Sequence, residues 1–190
     1  MRTGLFILSS KPLSRDLTPG AANLRCMLTT LPIGSDFSGG MKRIVVKDCV
    51  FSGTEIGLRF KSAMDRGGSC EDIHISNIVM NDIQDAAISF LCDYADVTYK
   101  QKDTGRPEFA PDFTDIIIEN VICHECATGI EAKGISGLNC IHDISISSSL
   151  FYYKTAAMEI DKQTADIELE NLSFVQFGSL PQSSSSTAAE

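Results

Sequence analysis

The sequence predicts an all-β chain wound as a right-handed parallel β-helix of about five coils, and three observations lead there. The first is an internal repeat that fills most of the chain. Five segments align without gaps, beginning Arg43-Ile44, Asp72-Ile73, Asp115-Ile116, Asp143-Ile144 and Asp166-Ile167. Each reads as a polar or charged residue, Ile, any residue, an aliphatic, any residue, a small polar residue, two variable positions and a larger apolar one. A unit of this kind buries only one narrow edge of itself and needs neighbours stacked on both sides. The second is a further alternating stretch 14 or 15 residues after each of the first four Ile positions: Leu58 and Phe60, Ile88 and Phe90, Ile130 and Ala132, Met158 and Ile160. Each coil therefore contributes at least two strands. The third is the set of small polar residues at one register, Asp48, Asn77, Asn120, Ser148 and Asn171. Asn and Asp tolerate left-handed dihedrals and hydrogen-bond to nearby backbone, so a ladder of them marks a corner of the coil.

Along the chain, residues 1–32 form an atypical head, with no coil grammar in the first 28. The coils run over residues 33–178, and the Ser-rich end, 179–190, has the composition of a disordered tail. Successive Ile starts lie 29, 43, 28 and 23 residues apart. The longest interval holds an insertion, roughly Asp93 to Asp112, with Tyr94, Tyr99, Arg106 and Phe109; loops of this length either border a binding groove or are plain surface excursions. Gly57, Ala87 and Gly129 stand just ahead of second-strand positions, as expected where backbone turns tightly into a strand. A leucine-rich solenoid would have a shorter, Leu-dominated unit, whereas Ile leads each unit here.

A chain of 190 residues, 43% hydrophobic, has room for one domain with a sizeable core. Its net charge of −9 and its lack of a Lys/Arg-rich run argue against nucleic acid as a partner. No run is long enough to span a membrane, and Leu5-Phe6-Ile7-Leu8 is too short for a signal h-region. Seven cysteines give an odd total and no disulfide framework. Cys123-His124-Glu125-Cys126 is a C-x-x-C without a second metal-binding half, and Cys123 falls in the apolar register, so a buried structural thiol is expected and no metal or cofactor. His74 should face outward, and His124 and His142 sit at coil corners; none belongs to a triad.

The residues that invite a chemical role are in Gly57-Leu58-Arg59-Phe60-Lys61-Ser62. Alternation puts Arg59 and Lys61 on the face opposite Leu58 and Phe60, about 6–7 Å apart along a strand. A guanidinium can grip a carboxylate bidentately while an ammonium adds a point charge. Two solubilising charges on a solvated strand would give the same pattern.

The run Ile33-Gly34-Ser35-Asp36-Phe37-Ser38-Gly39-Gly40, followed by the Ile44 strand, Cys49-Val50-Phe51-Ser52-Gly53-Thr54, the Arg59/Lys61 segment and Arg66-Gly67-Gly68, resembles the later coils of the polygalacturonase-like glycoside hydrolases, family 28. The resemblance spans roughly Ile33 to Phe177 and implies a pectin-lyase-like, single-stranded parallel β-helix. It implies inverting hydrolysis of α-linked galacturonate or rhamnogalacturonan chains, with Arg59 and Lys61 binding the substrate carboxylate. Members of this family are usually secreted or periplasmic. They carry their acids in an Asn-Thr-Asp motif, an Asp-Asp pair and a Gly-His-Gly motif, all upstream of Ile-Gly-Ser. This sequence has none of them and reads Thr29-Thr30-Leu31-Pro32 where Gly-His-Gly would lie.

An inverting glycosidase needs a carboxylic acid and a carboxylate about 6.5–9.5 Å apart. Asp36, Asp65 and Asp85 lack the family's spacing, and Asp65 fits the turn before Arg66-Gly67-Gly68. No catalytic residue is therefore assigned. The chain is expected to be the C-terminal part of such a hydrolase, inactive alone, with a pectic or other acidic polysaccharide as its partner. A non-catalytic acidic-glycan-binding module and a purely structural β-helix remain as alternatives. An exposed β-helix end is expected either to be capped by residues 1–32 or to self-associate.

Overall fold

The computed structural model describes residues 26–28, 31–34, 39–92 and 107–177. Expectations for most of the head, for Asp36, for the middle of the insertion and for the Ser-rich end lie outside the described residues. The strands are β1 (Cys26–Leu28), β2 (Leu31–Gly34), β3 (Met41–Thr54), β4 (Leu58–Lys61), β5 (Gly68–Ile83), β6 (Ala86–Leu91), β7 (Pro111–Phe113), β8 (Ile116–Lys133), β9 (Ile144–Ser147), β10 (Leu150–Ile160), β11 (Ile167–Glu170) and β12 (Ser173–Gln176). All pairings among them are parallel.

The repeat register sets this pairing. Ile44, Ile73, Ile116, Ile144 and Ile167 stand side by side on one face of the coil. Phe51, Met80, Cys123, Phe151 and Phe174 line up on the next. Leu58, Ile88, Ile130 and Met158 line up on a third, which also takes in Leu31. Each full coil thus has three faces, one more than the minimum the sequence required. Pairing also reaches upstream of residue 33, because Cys26–Leu28 lies against Cys49–Phe51. Late residues of the insertion belong to the coil as well: Pro111–Phe113 pairs with Gly68–Cys70 after a 3-10 turn at Pro107–Phe109.

The corner between the first two faces is the polar ladder. Asp48, Asn77, Asn120, Ser148 and Asn171 all adopt φ between 51° and 57°. Asn77 Nδ2 donates to Asp48 Oδ1 at 2.9 Å, and Asn120 Nδ2 donates to Asn77 Oδ1 at 2.6 Å. The long strands β3, β5 and β8 can therefore bend through the corner without breaking. A second left-handed row stands at the other end of the first face, where Arg43, Asp72, Asp115 and Asp143 have φ of 51–59°. The polar residue leading each of these four repeats is thus also a bend.

Inside, stacked apolar rows fill the coil. Phe60 and Phe90 stack with ring centroids 4.3 Å apart, and Phe113 meets both edge-on at 6.0 and 6.2 Å. Such pairs contribute about 0.5–1.5 kcal/mol each beyond the burial of their area. Gly57 differs from the expectation in its reason. Its φ is not left-handed, but a Cβ there would lie 2.6 Å from both the Ala87 carbonyl oxygen and Met80 Sδ. The residue is small because two coils touch, not because the chain turns. Met158 keeps its register but is 43% exposed, since it lies in the last coil.

Candidate functional site: a basic strand pair beside a carboxylate row

Leu58 and Phe60 are fully buried, so Arg59 and Lys61 of β4 point outward, as the alternation predicts. The preceding coil comes very close here. A Cβ on Gly34, whose φ is 111°, would sit 1.8 Å from the Lys61 carbonyl oxygen. The Gly of Ile33-Gly34 is therefore what lets β2 lie in register beside the two cations. Lys61 is partly buried between Gly34 and Leu91.

Arg59 has a carboxylate partner of its own. Its Nη1 donates to Glu55 Oε2 at 3.2 Å, with the Arg59 side chain 21% exposed and that of Glu55 68%. Strand register then builds an outward row along the helix axis: Pro32, Arg59, Ser89, Glu131 and Glu159. Beside it runs a second row, Gly34, Lys61, Leu91 and Lys133. Positive charge thus stands at β4, and negative charge two and three strands further along the first row.

Glu131 is half-buried, and burial holds its carboxyl above the ordinary range. The Ser89 hydroxyl opposes that shift, Asp85 and Glu159 add to it, and Arg59 draws it back. Sequence reasoning did not single out Glu131 or Glu55. Glu131 was nevertheless accessible to it, because the residue after Leu58 in the aligned stretches is Arg59, then Ser89, Glu131 and Glu159.

The other residues weighed from sequence fall as follows. Asp65 lies in the turn closed by Arg66 N to the Ala63 carbonyl at 3.2 Å, with φ of 66°. Asp85 is exposed at the corner ahead of β6, and its carbonyl accepts from Ala127 N and Thr128 N at 2.9 and 3.1 Å. His74 faces outward and meets Glu119 at 2.9 Å. His124 stacks on Tyr152, with ring centroids 6.3 Å apart. His142 is held between Asp112 at 3.0 Å and Asp143 at 2.7 Å.

Cys49, Cys70, Cys92, Cys123, Cys126 and Cys140 are buried free thiols. Cys123 and Cys126 share a hydrogen bond that pushes the Cys123 thiol up and the Cys126 thiol down, as between two packed core thiols. Burial, with Asp112 and Glu71 nearby, pushes Cys70 up to about 12. The raised thiols, Cys70 and Cys123, are poor nucleophiles, since the thiolate is the reactive form. Among the described residues, no group of three or more His, Cys, Asp and Glu side chains converges to hold a metal ion. A cavity of about 770 Å³ opens in the last coil, lined by Leu138, Ile160, Thr164, Ala165 and Ile167 among others. Neither Arg59 nor Lys61 lines it.

These features define a class, a parallel β-helix presenting a basic strand pair on an outward sheet face. The sequence profile of glycosyl hydrolases family 28 matches residues 31–164, more than half of the chain. The chain belongs to that family. It is 27% identical over 118 residues to a probable polygalacturonase of Vitis vinifera, covering 61% of this chain and 24% of that protein. It is 30% identical over 89 residues to endopolygalacturonase II of Aspergillus niger, covering 47% and 24%. A polygalacturonase of Ralstonia nicotianae is 30% identical over 110 residues, covering 56% and 18%. The chain thus spans about a quarter or less of the length of these relatives. The crystal structure of a hyperthermoactive exopolygalacturonase from Thermotoga maritima superposes with a TM-score of 0.60 at 22% identity, covering 77% of this chain and 31% of that one. The fold is the right-handed parallel β-helix expected from the repeat.

Proposed function

We propose that this chain serves polygalacturonase-type hydrolysis of α-linked galacturonate in pectic polysaccharide, and that its own share is to grip the uronate carboxylate with Arg59 and Lys61. The observation that carries this reading is the placement of both cations outward from β4, over buried Leu58 and Phe60. A guanidinium fixes the plane of a carboxylate by two parallel hydrogen bonds, and the ammonium adds charge without directional demand. On this reading, the β-helix body of residues 33–178 presents the site and the partner is an acidic glycan.

The acid/base half of the reaction is not assigned to this chain. Asp65 sits in a turn and Asp85 at a corner of the coil, and neither has the family's motif around it. The isolated chain is therefore expected to bind and not to hydrolyse. Titrating the full chain with trigalacturonate should show saturable binding that Arg59→Ala weakens tenfold or more, with no reducing ends released from polygalacturonate. Binding indifferent to Arg59→Ala would overturn the site. Inverting turnover lost on changing Asp65 or Asp85 would overturn the division of labour.

The Glu55–Arg59 ion pair favours a second reading, in which the cation is neutralised within the chain and the coils act only as scaffold. That reading predicts no glycan binding at all.

A further inference from the structure

The outward row that begins at Arg59 changes sign along the axis. Strands are spaced about 4.8 Å apart, so the Glu131 backbone stands about 10 Å from that of Arg59, with Ser89 between them. The Ser89 side chain is buried and short, so nothing on β6 in this row stands between the two longer side chains. Around Glu131 stand Ser89 of β6, Asp85 just ahead of β6, Glu159 of β10 and Arg59 of β4. Lys133 follows on its own strand, on the same outward face. The carboxylates of Asp85, Glu131 and Glu159 and the cations of Arg59, Lys61 and Lys133 thus share one surface, with Glu131 the most enclosed of these carboxylates.

We infer that Glu131 is a specificity-determining residue of the carboxylate site, opposing a uronate on Arg59 when ionised and admitting it when protonated. This rests on the uronate-binding reading of Arg59 and Lys61. A glycan chain laid along the axis from Arg59 crosses Ser89 and then meets Glu131. Its carboxylate competes with Glu131 for the Arg59 field and is repelled by it. Burial of Glu131 and the neighbouring Asp85 and Glu159 favour the protonated form, so the change falls at higher pH than in an ordinary glutamate. Two unit charges some 8–10 Å apart at a partly solvated surface change an affinity about fivefold.

The test is calorimetric titration of the full chain with trigalacturonate at pH 5 and pH 7.5, alongside Glu131→Gln and Arg59→Ala. Wild type should bind more tightly at pH 5 than at pH 7.5, by up to about fivefold, and Glu131→Gln should bind at pH 7.5 at least as tightly as wild type does at pH 5 and lose that pH dependence. The Glu131 carboxyl, followed by carbon-13 NMR, should titrate at higher pH once trigalacturonate is bound. If Glu131→Gln keeps the wild-type pH dependence while Arg59→Ala abolishes binding, this inference fails and the uronate site stands. If neither wild type nor Glu131→Gln binds at either pH, the uronate site fails and this inference with it.

Discussion

The polar ladder offers a clean separation of two contributions to stability, because Asn77 combines a left-handed backbone with hydrogen bonds to both neighbouring coils. Its φ is 57°, its Nδ2 donates to Asp48 at 2.9 Å, and its Oδ1 accepts from Asn120 at 2.6 Å. Asn77→Ala loses both bonds and leaves an alanine in a dihedral that Asn tolerates better. The bonds are exposed, so about 0.5–1 kcal/mol each is appropriate. The left-handed conformation adds roughly 1–2 kcal/mol for Ala. A total of about 2–4 kcal/mol follows. Asn77→Gly loses the same bonds but takes the dihedral freely, with a backbone entropy cost of about 0.5–1 kcal/mol in a strand. Its total is about 1.5–3 kcal/mol, so Gly should be the milder substitution even though it removes more atoms. Urea unfolding followed by circular dichroism measures this, through midpoint shifts at a common m-value. An Ala variant as stable as the Gly variant would refute the dihedral argument. If both lay within 0.5 kcal/mol of wild type, the ladder would carry no stability.

Two further outcomes test the core and the second corner. Phe90→Ala, which removes a fully buried ring stacked on Phe60 at 4.3 Å, should cost about 3–5 kcal/mol, whereas Phe109→Ala, at a ring 44% exposed, should stay within about 0.5 kcal/mol on the same urea assay. Partial burial lowers the His142 pKa, but its hydrogen bonds and charge contacts with Asp143 and Asp112 outweigh this and hold it above the ordinary value. A histidine raised in this way contributes stability that is full below the unfolded pKa of about 6.5 and is lost as pH rises through the folded pKa. Asp112→Asn should lower the His142 midpoint by NMR and shrink the stability difference between pH 5.5 and 8.5; an unchanged midpoint would refute the contact's role.

Much of the fold was legible because a solenoid repeats its constraints. Ile44, Ile73, Ile116, Ile144 and Ile167 meet the same neighbours in each coil, so five weak local signals become one strong one. The second corner was not read, since its residues include Arg43 as well as Asp72, Asp115 and Asp143, and no single chemistry announces a left-handed dihedral there. Gly57 was noticed for the wrong cause, because close approach to Ala87 and Met80 is a property of two coils and not of a local turn. At the site, Arg59 and Lys61 were visible as neighbours in sequence. Glu131 was hidden by distance along the chain, although the repeat register already placed it in the Arg59 row. Glu55 lies four residues before Arg59, a spacing that suggests contact on a helix but reaches Arg59 here only because a corner intervenes before β4.

The same regularity explains why an outward row carries one residue per coil. Inward positions are committed to stacked apolar side chains, since a change of even one methylene there is felt by the coils on either side. Outward positions on the third face, Gly34 excepted, carry no such demand, so they can differ from coil to coil without disturbing the register. The row Arg59, Ser89, Glu131 and Glu159 therefore runs from positive to negative over three strand steps. On the uronate-binding reading, that gradient gives an acidic polymer a direction. Segments reaching from Arg59 toward β8 and β10 meet carboxylates, whereas segments reaching toward β2 meet Pro32 and Gly34, which carry no charge. The favoured course of the chain is then toward β2, which holds Ile33-Gly34.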